Sequence, residues 1–206
     1  MSLKIYYSPM STASITTLIL EELEVPCEWI RVDIKNGGTK TPEFAKINPN
    51  AKVPVLVHNG TPIWESAAIT MYLGETFGVE KGLYPAAGPA RGEAMKWIVW
   101  SNVTLGDAIG RFTRNTMNWY PVEQHNAKAG EAGKLDMHNC LKILDDGLAD
   151  KEYLVGTFTL ADAHVKSFTD WLRHMDFDFS AYPRVNAWAK RCSDRPASAR
   201  AQAREA

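Results

Sequence analysis

VPVLVHNGTPIWESAAITMYLGETFG, residues 53–78, changes its period at Glu65. VPVLV (53–57) and TPIW (61–64) are short β-rich runs on either side of His58-Asn59-Gly60. Two such runs around an Asn-Gly turn predict an antiparallel hairpin. From Glu65 the apolar residues recur at helical spacing, with Ile69, Tyr72 and Leu73 on one face. Gly78 is the expected stop. A proline at the head of a strand, as at Val53-Pro54, stands where a sheet tolerates one.

Upstream, LKIYY (3–7) predicts a strand that ends at Ser8-Pro9. A helix begins near Ser11, with Ile15, Leu18, Ile19 and Leu23 inward and Thr17, Glu21, Glu22 and Glu24 between them. Pro26 closes it. CEWIRVDI (27–34) reads as a second strand, and TPEFAKINP as a short helix with Pro42 near its start. The order β-α-β-α-β-β-α describes a small mixed sheet with helices on both faces, a thioredoxin-like α/β unit.

Beyond VEKGLYPAAGP (79–89) the character changes. Residues 90–113 and 127–148 are long helical patterns, the second with Leu135, Met137, Leu141, Leu144 and Leu148 at near-heptad spacing. TLADAHVKSFTDWLRHM (159–175) opens with a capping box, Thr159 and Asp162. YPRVNAWAKRC (182–192) predicts the final helix. We expect an α/β domain over residues 1–80, a linker at 81–89 and an all-α domain over 90–206.

Composition narrows the partners. Lys plus Arg at 23 against Asp plus Glu at 24 gives a net charge of −1, with no pull toward nucleic acid or an anionic membrane. The basic stretch KRCSDRPASARAQAR (190–204) reads as a solvated tail. MSLKIYYSP has no long apolar core of a signal peptide, and no apolar run approaches a membrane span. Cys27, Cys140 and Cys192 are widely spaced, as in reduced cytoplasmic proteins. His58, His125, His138, His164 and His174 have no ligand spacing, so no metal is expected. The glycine patterns that hold dinucleotides or nucleotide phosphates are missing from the sequence.

Two stretches carry chemistry. SPMSTASI (8–15) sets Ser8, Ser11, Thr12 and Ser14 at a strand-to-helix junction, where Ser11 is a natural N-cap. Glu65-Ser66 starts a helix; an acid and a hydroxyl there either cap free amides or form a site for a carboxylate.

Taken in order, Val-Pro before a strand, WESAAI (64–69), LYP (83–85), TLADAHV (159–165) and YPRVNAWAKRCSDRPA (182–197) resemble a cytosolic glutathione S-transferase over nearly the whole chain. The resemblance implies the two-domain fold of that family, a homodimer, and glutathione as co-substrate with no further cofactor. It implies a cis Val53-Pro54 bond, with the Val53 amide and carbonyl pairing a cysteinyl peptide. Glu65 and Ser66 would hold the γ-glutamyl ammonium and carboxylate, and Lys40 and Lys52 the glycyl carboxylate. PMSTAS is similar to the plant phi-type loop, which selects Ser11 as the donor to the thiol. YYSP also resembles bacterial beta-type enzymes, whose cysteine falls at Thr12, and Tyr7 aligns with the tyrosine-type classes.

A free thiol titrates near ~8.5, and lowering that by ~2 units takes about 2.7 kcal/mol, within reach of one charge-assisted bond and a helix terminus. The resemblance then implies detoxifying attack on a small hydrophobic electrophile in a pocket between the domains. Met10, WIVW (97–100) and MNWYP (117–121) are candidates for its walls, though Trp97 and Trp100 at helical spacing suit a helix core better. A non-catalytic binding module, or glutathione-dependent peroxide reduction, isomerisation or dehalogenation, would use the same fold.

Overall fold

Residues 2–205 are described by the computed structural model. β1 (Leu3–Tyr7), α1 (Ala13–Leu23), β2 (Glu28–Arg31), α2 (Pro42–Ile47), β3 (Val55–His58), β4 (Thr61–Trp64) and α3 (Ser66–Leu73) follow in the expected order. The sheet runs β2-β1-β3-β4, with β1 parallel to β2 and the other pairs antiparallel. Asn59 and Gly60 both take positive φ, 49° and 86°, which is the two-residue turn that matches strand twist. This is a thioredoxin-like α/β domain, and the chain beyond it is all helical.

The segment expected as a linker is anchored at its centre. Tyr84 is buried, and its ring lies where a Cβ on Gly74 would come within 2.6 Å. Glycine there lets α3 pass into a π turn, Gly74–Gly78, directly beneath the ring. The Leu160 amide donates to the Leu83 carbonyl at 2.8 Å, tying the same segment to the helical domain.

α4 (Pro89–Trp100), a π turn (Ser101–Leu105) and α5 (Gly106–Thr116) form one continuous rod. α6 (Ala127–Gly147) packs along α5, and Gly133 permits the contact because a Cβ there would stand 2.6 Å from the Phe112 nitrogen. Met137, Leu141, Leu144 and Leu148 are buried at steps of four, three and four. Leu135 is two residues out of that register and is 62% exposed, so it is no part of the core face.

α7 (Leu160–His174) begins at the predicted capping box. The Asp162 carboxylate accepts from the Thr159 and Leu154 amides at 2.8 and 2.9 Å and from the Trp188 indole at 2.9 Å. Burial pushes its pKa up and these donors oppose that rise. One side chain thus joins the start of α7 to α8 (Pro183–Ser193).

Residues 190–204 correct the sequence reading. They are not a solvated tail, and α8 is not the final helix. α9 (Pro196–Glu205) packs against α1, burying Ala197 and Ala201. Its register is set by charge. Glu21 and Glu22 lie on a face of α1 that is buried, at 7% and 9% exposure. The Arg195 guanidinium forks onto Glu22 at 2.8 and 2.7 Å. Arg200 and Arg204 close on Glu21, and Arg200 also reaches Glu24. Arg195 stacks 3.5 Å over Phe158 and Arg204 3.9 Å over Trp29. The stretch holds no large aliphatic residue beyond Cys192, so its amphipathic face is carried by alanines and arginine stems.

Removing one partner of a buried ion pair leaves an uncompensated charge, while exposed pairs contribute little. Arg195→Ala is expected to lower the unfolding free energy by ~2 kcal/mol or more. Lys190→Ala, which breaks only the exposed pair with Asp194, should stay within ~0.5 kcal/mol. Urea denaturation of the two variants checks both values.

Candidate functional site

Strand register brings the candidate residues to one end of the sheet. Tyr6 pairs with Val55, and Val55 with Trp64, so the end of β1, the start of β3 and the end of β4 share one row. The loops that leave from this row carry Ser11 and Thr12, Val53 and Pro54, and Glu65 and Ser66.

The first two loops touch. Thr12 Oγ1 donates to the Val53 carbonyl at 3.1 Å across 41 residues of sequence. The Val53-Pro54 bond is cis. The resemblance implies a Val53 carbonyl turned toward a ligand; here that oxygen already holds Thr12 and keeps one further lone pair. Ser11 Oγ donates to the Ser8 carbonyl at 2.6 Å and accepts from the Ala13 amide at 3.1 Å. It therefore satisfies the first free amide of α1, while Thr12 occupies the formal cap position without a capping bond. A hydroxyl held this way must turn from Ser8 before it can donate to anything outside the loop. Met10 makes the bend between them with φ of 54°.

The remaining candidates are spread. Tyr7 stacks edge-on against Trp29, ring centroids 5.6 Å apart. Lys40 and Lys52 are exposed and have no ion-pair partner among the described residues. Glu65 is exposed at the N-cap of α3 in the left-handed region, φ 71°, and no side chain caps that helix. The amides of its first turn are thereby left facing the same row.

Ser66 is buried, and it starts a chain of hydrogen bonds that the sequence did not reveal. Its Oγ accepts from Asn102 Nδ2 at 3.0 Å; Asn102 Oδ1 meets His164 Nε2 at 2.6 Å; His164 Nδ1 meets Thr70 Oγ1 at 2.8 Å. The chain leaves α3, passes through the π turn of the helical domain to α7, and returns to α3. His164 has no exposed surface, and burial lowers its pKa to about 3, so the ring is neutral. The sequence offered His164 only as a histidine set among Ala161, Ala163 and Val165 in an amphipathic helix. Asn102 carried no signal.

A cavity of about 180 Å³ lies between the N-terminal part of α1, α7 and α9. Met10 and Leu18 line one side, Trp171 and Lys166 another, Ala201 and Glu205 the third. Glu205 Oε2 accepts from the Met10 amide at 2.9 Å, so α9 holds the same loop that carries Ser11. Lys166 is buried and pairs with Asp170 at the cavity wall. Trp97 and Trp100 stack on each other at 5.3 Å, with Trp97 buried in the helical core and neither of them lining the cavity. From MNWYP, Trp119 reaches the wall indirectly by stacking on Trp171 at 5.9 Å. Among the described residues no group of three or more His, Cys, Asp or Glu is placed to hold a metal ion.

The buried neutral His164 predicts an acid-sensitive fold. Its pKa falls from 6.5 to about 3 on folding, so between those values the unfolded chain binds the extra proton. Its contribution to stability is complete above pH 6.5 and is lost progressively as pH falls toward 3. The slope from this group reaches at most ~1.4 kcal/mol per pH unit. Urea denaturation from pH 7 to 4 should show it, and His164→Gln should flatten the dependence.

Comparison with known proteins identifies the family. Residues 1–75 match the N-terminal domain of glutathione S-transferases and residues 118–196 their C-terminal domain. Glutathione S-transferase GstB of Escherichia coli (strain K12) is 31% identical over 183 residues, covering 87% of this chain and 87% of that protein. Disulfide-bond oxidoreductase YfcG of the same strain is 28% identical, covering 96% of this chain and 93% of that one. The crystal structure of glutathione transferase URE2P8 from Phanerochaete chrysosporium with oxidized glutathione superposes with a TM-score of 0.89 at 26% identity, over 99% of this chain and 95% of that one. With the sheet order, the cis proline and the capped helix of the second domain all in place, the chain belongs to the glutathione S-transferase family.

Proposed function

We propose that the protein binds reduced glutathione along the row of loops and directs its thiolate at a small hydrophobic electrophile in the α1–α7–α9 cavity. The observation that carries this reading is the loop 8–12. It supplies a wall of the cavity through Met10 and contacts Val53 through Thr12, with Ser11 between them. Ser66 and the free amides of α3 suit the γ-glutamyl carboxylate, and Glu65 its ammonium. Val53 suits the cysteinyl peptide, as an added strand would, and Lys40 and Lys52 the glycyl carboxylate. Ser11 is the first choice as donor to the sulfur, a serine-type, phi-like assignment; Thr12 follows, then Tyr7.

The nucleophile is the ligand's thiol rather than the protein's. Burial pushes Cys27 and Cys140 up to about 11 and raises Cys192 as well. In substitution, the glutathione sulfur forms a bond to carbon as the leaving group departs with its electron pair. In addition, the carbanion formed takes a proton from water. Proximity and thiolate activation supply the rate.

A second reading is favoured by YfcG, a disulfide-bond oxidoreductase related over nearly the whole length. In that reading the thiolate of glutathione bound to this chain attacks a disulfide sulfur and the other sulfur leaves as a thiolate, which needs no cysteine at Thr12. A homodimer suits the exposed Met95, Val99 and Val103, spaced by four along one face of the α4 rod. The three cysteines are unpaired, which suits the cytoplasm.

Ultraviolet absorbance of bound glutathione against pH tests the reading. In the wild type the thiolate should form with a midpoint roughly 2 units below the free thiol's ~8.5. Ser11→Ala should return most of that shift and lower kcat/KM with an aromatic halide by ~10–100-fold, about 1.4–2.7 kcal/mol. Binding without thiolate in either protein identifies a non-catalytic module instead. A larger loss in Thr12→Ala than in Ser11→Ala moves the donor to Thr12.

A further inference from the structure

We infer that Asn102 and His164 are positioning residues that fix the direction of the Ser66 proton and so make that site selective for a carboxylate. The inference rests on the glutathione reading and deepens it. The direction of the chain follows from atom types. Asn102 Oδ1 can only accept, so its 2.6 Å contact with His164 requires the proton on Nε2. The ring is neutral, so Nδ1 is an acceptor and the Thr70 hydroxyl donates to it. With Oδ1 occupied, the Asn102 amide nitrogen donates to Ser66 Oγ. Every bond runs the same way, from Thr70 to His164 to Asn102 to Ser66.

Two consequences follow at Ser66. Its oxygen has a lone pair taken by Asn102, and its own proton is donated to no protein group among the described residues. That proton remains for an acceptor outside the chain. Donors aligned in series also polarise one another, which strengthens the terminal O–H as a donor. An ammonium or amide N–H presented at this point would meet a donor, whereas a carboxylate would meet the Ser66 hydroxyl and the free amides of α3 together. The π turn is what places Asn102 there: it shifts the α4–α5 rod by one residue at the position where a side chain must reach α3. The helical domain therefore sets the polarity of a site built on the other domain.

The test is Asn102→Asp, which keeps the shape and replaces the donor by an acceptor. The introduced carboxylate would take the Ser66 proton and stand beside the ligand's own charge. Dissociation constants are measured by calorimetry for reduced glutathione and for γ-aminobutyryl-cysteinyl-glycine, the same peptide with the ammonium kept and the γ-glutamyl carboxylate removed. N102D should weaken glutathione binding by at least 10-fold and leave the shorter peptide within 2-fold of wild type. Asn102→Ala combined with Ser66→Ala should weaken binding no more than 2-fold beyond S66A alone, because both act on one hydrogen bond. Asn102→Ala, which introduces no charge, should weaken glutathione about 3-fold with the same selectivity; it carries the test if N102D melts in a thermal scan. Wild-type affinity in these variants overturns the inference, and so does an equal loss for both peptides, which marks a purely structural chain. Loss in S66A without loss in the Asn102 variants overturns the inference alone. No binding of glutathione to the wild type overturns the glutathione reading and the inference with it.

Discussion

Two carboxylates buried on one helix organise this molecule. Glu21 and Glu22 face inward on α1, which lies against β1, α3, α7 and α9 at the centre of the fold. Taking a carboxylate out of water costs several kcal/mol unless it is paired and hydrogen-bonded. Arg195, Arg200 and Arg204 provide the pairing, and they can do so only if α9 and the residue before it lie along α1. Once docked, that helix supplies a wall of the cavity and, through Glu205, a bond to the Met10 amide. The pairing at one end of α1 thus shapes the loop at its other end.

The two domains share more than a surface. Tyr84 seats its ring against Gly74 and its Cβ against Gly78, the Leu83 carbonyl receives the Leu160 amide, and Asn102 and His164 reach Ser66 and Thr70. These contacts gather at α3, whose N-terminus carries the candidate carboxylate site. A ligand held there would rest on hydrogen bonds that originate in both halves of the chain. Burial matters here as much as contact. A neutral, fully enclosed imidazole gives the chain of donors one direction, which an exposed histidine titrating near pH 6.5 would not keep.

The cavity differs in character from the site beside it. Its walls are largely apolar, from Met10, Leu18, Trp171 and Ala201, and about 180 Å³ suits a single-ring molecule. The Lys166–Asp170 pair interrupts that surface with charge. In the function proposed here, a thiolate delivered from the row of loops would meet a reactant selected by shape on one side and by this pair on the other.

Sequence by itself determined the elements with strong local signals. The Asn59-Gly60 turn, the Thr159–Asp162 box, the proline at Val53-Pro54 and the period changes at Ser11 and Glu65 each act over a few residues, and each is where it was read. From them came the thioredoxin-like domain and the helical domain; the gathering of Ser11, Thr12, Val53 and Ser66 into one site was implied only by the resemblance. Tertiary structure decided what depends on partners far away in the chain. Leu135 reads as a core leucine until the register of α6 turns it outward. Residues 190–204 read as a tail because alanines and arginines have no hydrophobic stripe of their own; only the buried acids of α1, more than 170 positions earlier, hold the helix Pro196–Glu205 in place. Asn102 has no signature at all, since an amide becomes a positioning group only when a π turn aims it at a hydroxyl on another domain.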